Sequence, residues 1–109
     1  MKVIALPKAD KYLQDLVSIL YQKEYFGFKE CAQKYVDNLI FEIETTLPTR
    51  LHKPAPKHFD KYGKSMKYAV FRKSKNTYWY VFFKAYKEKG ETVYLIRYIG
   101  NNHTVAQYM

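Results

Sequence analysis

Arg97, His103 and the lysines of residues 47–67 are the side chains best equipped for chemistry. An arginine offers a planar fork of N–H donors that matches the oxygens of a phosphate or carboxylate. A histidine titrates near neutral pH and can take up or give a proton. Lysines gathered in one loop hold anions as point charges. Each has a structural alternative: Arg97 can pair with Glu88 or Glu91 at a sheet edge, and His103 can simply be exposed in a polar turn. Cys31 has no activating neighbour in sequence and reads as a small core residue. His52 and His58 lie six apart, a spacing that suits no common metal site. No metal centre and no cofactor is expected.

The charge is divided along the chain. Residues 1–47 hold six basic and seven acidic side chains, a net of −1. Residues 48–109 hold thirteen basic and three acidic ones, a net of +10. The positive field therefore belongs to the second half, and a polyanion or an acidic protein is its natural counterpart; the competing reading is a solvated, solubilising surface. No apolar run approaches the ~20 residues of a membrane span. The opening MKVIALPKAD has too short an apolar run for a secretory signal, and the single cysteine suits a reducing compartment. A cytoplasmic protein without membrane contact is the expectation.

The elements that must position these residues can be read from the pattern. Residues 68–99, YAVFRKSKNTYWYVFFKAYKEKGETVYLIRYI, contain three aromatic and β-branched runs (68–73, 77–86, 92–99) split by polar breaks. The pattern predicts an antiparallel meander, with Gly90 in its second turn. Its middle strand is apolar on both faces, Trp79, Val81 and Phe83 on one and Tyr78, Tyr80 and Phe82 on the other. That predicts cover on both sides. Lys2 to Leu6 reads as a further strand, ended by Pro7. Tyr12, Leu13, Leu16, Val17, Leu20 and Tyr21 mark one stripe of a helix over 8–25, with Gly27 as its C-terminal cap. Ala32, Tyr35, Val36, Leu39, Ile40 and Ile43 mark a second helix over 29–46. A link at Phe26–Phe28 folds the two back as a hairpin.

Residues 47–67, LPTRLHKPAPKHFDKYGKSMK, keep no period and read as a long basic loop. Gly100 is expected to break the last strand, Asn101 and Asn102 to turn the chain, and Thr104 to Tyr108 to form a short strand or one helical turn. The expected fold is a single α+β domain over 1–109: a helical hairpin on a mainly antiparallel sheet of about four strands.

That order of elements, with MKVIALPKADKYLQDL at the start and YWYVFFKAYKEKGETVYLIRYIGNNHTVAQY at the end, resembles the RelE/ParE superfamily of type II toxin–antitoxin toxins. The resemblance covers nearly the whole chain. It is sharpest at the last strand, where an arginine is followed by a polar tail containing histidine. It implies a helical hairpin on one face of the sheet and a concave basic surface on the other. RelE-like members cut messenger RNA in the ribosomal decoding site, without metal; ParE-like members poison DNA gyrase. An acidic antitoxin wraps around either kind.

On that resemblance Arg97 matches the arginine that contacts RNA phosphate. His103 lies where some members place a catalytic histidine, and Tyr108 matches a C-terminal tyrosine. Arg50, Lys53, Lys57 and Lys64 resemble the basic residues near the scissile phosphate. RelE-like nucleases commonly carry another arginine on the central strand, where this chain reads TYWYVFF; Arg72 on the preceding strand is the substitute. This departure leaves ParE-like gyrase inhibition, or a non-toxic nucleic-acid or protein-binding module, as alternatives.

Overall fold

Side chains of the aromatic runs alternate between two covered faces, and the runs form strands as the pattern requires. The computed structural model describes residues 2–23 and 27–109. The strands run in the order β1 (Lys2–Ala5), β2 (Lys53–Pro54), β3 (Lys67–Ser74), β4 (Thr77–Glu88) and β5 (Glu91–Asn101). The last three are the expected meander. Lys89 and Gly90, at φ 51° and 79°, form the β4–β5 turn, both in the left-handed region that a tight two-residue hairpin favours.

The sheet has five strands and is mixed, in the order β1-β5-β4-β3-β2, where about four mainly antiparallel strands were expected. Two pairings make the difference. β1 lies parallel to β5, from Lys2 opposite Val93 to Ala5 opposite Ile96. The two residues of β2 pair with Tyr68 and Lys67. Pro54 hides β2 from the strand pattern, yet a proline is tolerated there because β2 is an edge.

Helix α1 (Pro7–Gln22) starts on a proline, whose missing N–H costs nothing at that position. It ends at Gln22, with the Lys23 N–H bonded to the Ile19 carbonyl at 3.1 Å. Gly27 is therefore not its cap. The expected continuation to residue 25 and the link at Phe26 fall outside the described residues. Helix α2 (Lys29–Thr46) has the predicted bounds. Both helices pack on one face of the sheet. Leu13, Leu16, Leu20, Val36, Leu39 and Ile43 meet Phe71, Trp79, Val81, Phe83 and Ile96 there. The Trp79 indole N–H donates to the Tyr35 hydroxyl at 2.8 Å, so this large ring is buried without leaving its donor unpaired. Cys31 is exposed, which corrects its assignment to the core. It sits one residue before the buried Ala32, in the first turn, and falls off the apolar stripe.

The basic loop is more ordered than its lack of period implied. It contains short 3-10 turns at Leu47–Thr49 and Lys57–Tyr62, besides β2. It acts as a strap over the second face of the sheet. Phe59 and Met66 from the strap, and Val105 from the tail, bury Phe82 between them. The Phe59 and Phe82 rings stack at 4.4 Å. Burying a side chain of this size contributes about 1.5–3 kcal/mol. β5 runs through Gly100 to Asn101, so that glycine does not end the strand. Its role is close packing: a Cβ there would lie 2.5 Å from the Val105 Cγ2. The tail takes the helical alternative, as α3 (Asn102–Val105) and one 3-10 turn at Ala106–Tyr108. No helix is long and apolar enough to cross a membrane among the described residues.

Candidate nucleic-acid interface

Arg97 owes its position to an irregularity in β5. Ile96 lies opposite Phe83 and Tyr98 opposite Phe82, so Arg97 is an extra residue with no partner on β4. Such a bulge re-aims a side chain and recurs beside active sites. The strap then holds the arginine stem. Gly63 passes so close that a Cβ there would lie 2.8 Å from the Arg97 Cδ and 3.3 Å from its Nε. The guanidinium donates one hydrogen bond, from Nη2 to the Tyr86 hydroxyl at 3.3 Å. Its Nε is buried with no acceptor, and no described carboxylate lies within ion-pair distance of it. The expected alternative, pairing with Glu88 or Glu91, is not what is found.

Arg97 opens on a groove of about 400 Å³, whose other walls include Lys8 and Tyr12 from α1, Tyr62 from the strap and Thr104 from α3. The Tyr62 and Tyr98 rings stack at 4.2 Å, nearly parallel. Burial pushes the Tyr12 phenol up to about 12. Burial, followed by the neighbouring Tyr62 and Tyr108 phenols, raises Tyr98 as well. At neutral pH these hydroxyls are protonated donors. Tyr86 differs: the hydrogen bond from Arg97 holds its phenol below the usual value.

The raised phenols carry a stability consequence. The folded state keeps these protons beyond the pH, about 10, at which the unfolded chain releases them. Stability is therefore whole below pH about 10 and falls as the pH climbs towards about 12. Denaturant titrations from neutral to alkaline pH should show this decline, with the last phenolate absorbance arriving only as the fold is lost. Stability that stays level through that range would contradict the assignment.

Most of the other expected site residues are dispersed; the Tyr108 phenol alone neighbours the groove, at Tyr98. His103 is exposed on α3 and lines a separate cleft of about 150 Å³ with Tyr35, Thr77 and Trp79. Tyr108 stacks on the His58 ring at 3.6 Å, an aromatic latch of the tail on the strap. Arg50 is committed to the fold. It pairs with Glu42, donates from Nη1 to the Val70 carbonyl at 3.1 Å and from Nε to the Thr46 hydroxyl at 3.0 Å, and lies over the Phe71 ring. Glu42 also receives Lys73 at 3.3 Å. Lys53 shares a cleft of about 380 Å³ with Arg50 and Tyr68, on the far edge of the sheet. Lys57 and Lys64 are exposed near the two ends of the strap's 3-10 turn. Arg72 is exposed, donates to the Ser74 carbonyl at 3.2 Å and lies over the Tyr78 ring. His52 accepts a structural role, its Nε2 2.8 Å from the Leu47 carbonyl and its ring edge-on to Phe83.

Tyr12, Tyr62, Gly63, Tyr86 and Lys8 were not singled out from the sequence. Only Gly63 carried a local signal, as a glycine in a lysine-rich loop. The rest depend on a bulge and a strap that bring distant residues together. Among the described residues, no three His, Cys, Asp or Glu side chains converge as metal ligands. Comparison with family models, with curated proteins and with solved structures finds no match to this chain.

Proposed function

We propose that this protein is a RelE/ParE-like toxin of a type II toxin–antitoxin pair, and that it cleaves messenger RNA on the ribosome without a metal. The observation that carries the reading is Arg97: an arginine fixed by a bulge and a glycine, opposed by no described carboxylate, lining a groove with three tyrosines. A guanidinium with no counter-ion among the described residues fits an anion that arrives from outside, and RNA phosphate is the anion the basic second half would attract. Exposed Lys53, Lys57, Lys64 and Arg72 supply the surrounding field. The element order and the helix-covered face agree with the resemblance.

Metal-free cleavage needs three things. A base removes the proton of the 2′-hydroxyl, which attacks phosphorus. An acid protonates the departing 5′-oxygen, and cations hold the charge that grows on phosphate. Arg97 serves the last need. Tyr86 accepts a hydrogen bond from it, a contact that holds the phenol below its usual value. The Tyr108 phenol neighbours Tyr98 of the groove, but His103 lines a separate cleft and enters the reaction only if the tail rearranges on the ribosome. That separation favours a second reading, ParE-like gyrase inhibition by binding alone. In either case an acidic antitoxin would cover the basic face, and the cytoplasm is the expected compartment.

Purified protein separates the readings. Cleavage of a ribosome-bound messenger, lost on Arg97→Ala, supports the nuclease. Gyrase-dependent DNA breaks with intact RNA support inhibition instead. Salt-sensitive binding with neither activity leaves a binding module. Gly63→Ala is a finer probe, because its methyl would push the Arg97 stem aside. Cleavage should fall roughly 10-fold, short of the roughly 100-fold that a full ångström of misplacement costs. The melting temperature should fall as well, since the added methyl would also lie 3.3 Å from Cγ of the buried Met66. Unchanged cleavage kinetics would show that the stem position is unimportant.

A further inference from the structure

The groove beside Arg97 has features that phosphate binding does not require. β1 leaves the sheet at Ala5, opposite Ile96. Beyond Ile96 no described strand pairs with that side of β5, and its residues Tyr98, Ile99 and Gly100 line the groove. A strand edge presents peptide donors and acceptors in one plane. Tyr12 and Tyr62 add aromatic surface to the lining, and Lys8 and Arg97 add cations. At about 400 Å³ the space is within the range of small-ligand sites.

We propose that this groove holds one unstacked nucleobase of the bound nucleotide, with that nucleotide's phosphate on Arg97 and Lys8. A flat, hydrogen-bonding, anionic ligand uses every part of the lining. The base lies against phenol surface, which is sequence-tolerant, while the strand edge and the Tyr12 hydroxyl face its polar rim. Thr104 closes the end nearest α3. The inference rests on the nucleic-acid reading above and adds to it a base-recognition pocket outside the strap-covered middle of the sheet.

The test titrates isotope-labelled protein with adenosine 5′-monophosphate and with ribose 5-phosphate, which lacks the base, and follows backbone amide resonances. The monophosphate should shift Gly100 and Thr104 and bind at least about 5-fold more tightly, the lower end of one base–aromatic contact. Thr104→Trp, which fills the groove from an exposed position, should remove that advantage. Lys8→Glu should weaken both ligands and provides a second variant if the tryptophan disturbs α3. Equal affinities, shifts elsewhere, or no binding by the monophosphate would overturn the pocket. RNA cleavage without a base preference in this test would remove the pocket and leave the nuclease reading standing. Base-dependent binding without cleavage would do the reverse.

Discussion

If the protein is the proposed nuclease, replacing Arg97 with alanine is expected to reduce RNA cleavage by roughly 100-fold or more, the usual effect of deleting a donor aimed at transition-state charge. The fold should survive, because among the described residues the side chain makes one hydrogen bond, to Tyr86, and no ion pair. Its removal even relieves a buried Nε that has no acceptor. Melting temperature and activity should therefore separate, the first unchanged or slightly raised and the second nearly lost. Arg97→Lys should not restore the activity, since a lysine supplies charge without the planar fork. Arg50→Ala is the informative contrast. Arg50 ties the end of α2 to β3 through Glu42, Thr46 and Val70, so its loss should lower stability first. Similar loss of cleavage in stably folded forms of both variants would mean that Arg97 has no special place.

Phe59→Ala is expected to cost about 3–5 kcal/mol, the range for emptying a buried aromatic site. Phe59 is 2% exposed and stacks on Phe82 under the strap. Total stability of a domain this size is about 5–15 kcal/mol, so the variant should be marginal at physiological temperature. Denaturant unfolding of the purified variant measures the loss. The functional effect should follow the strap. Gly63 and Tyr62 lie just beyond Phe59 in the chain, and with them go one wall of the groove and the seat of the Arg97 stem. Phe59→Leu, which keeps most of the apolar volume, should recover much of both. A loss below about 1 kcal/mol in Phe59→Ala would place it among ordinary surface substitutions and would show that the strap is not packed as described.

The two faces of β4 were legible because alternation has a period of two and TYWYVFF fills both phases. Both helices were legible from their stripes, and the bounds of α2 agree at each end. β2 was not legible, since two residues ending in a proline carry no alternation. The strap read as a loop because Phe59, Tyr62 and Met66 are isolated among lysines, and their common burial needs the sheet face as a template. Of the site, the sequence marked Arg97 as a residue type on a strand. It did not mark the bulge that aims it, because a register shift belongs to the pairing of two strands and not to either one. The same limit explains the tyrosines. Twelve are present, and only the meeting of α1, strap and β5 selects Tyr12, Tyr62 and Tyr98 to line one groove.

Induced expression of the wild type and of Arg97→Ala in a bacterial host, with messenger 5′ ends and gyrase-dependent DNA breaks mapped in parallel, separates the nuclease from the gyrase inhibitor. Growth arrest with new messenger ends at ribosome-occupied codons is expected for the wild type, and neither for the variant. Growth arrest with DNA breaks and intact messengers would contradict the nuclease reading, as would new messenger ends that persist undiminished when Arg97 is alanine.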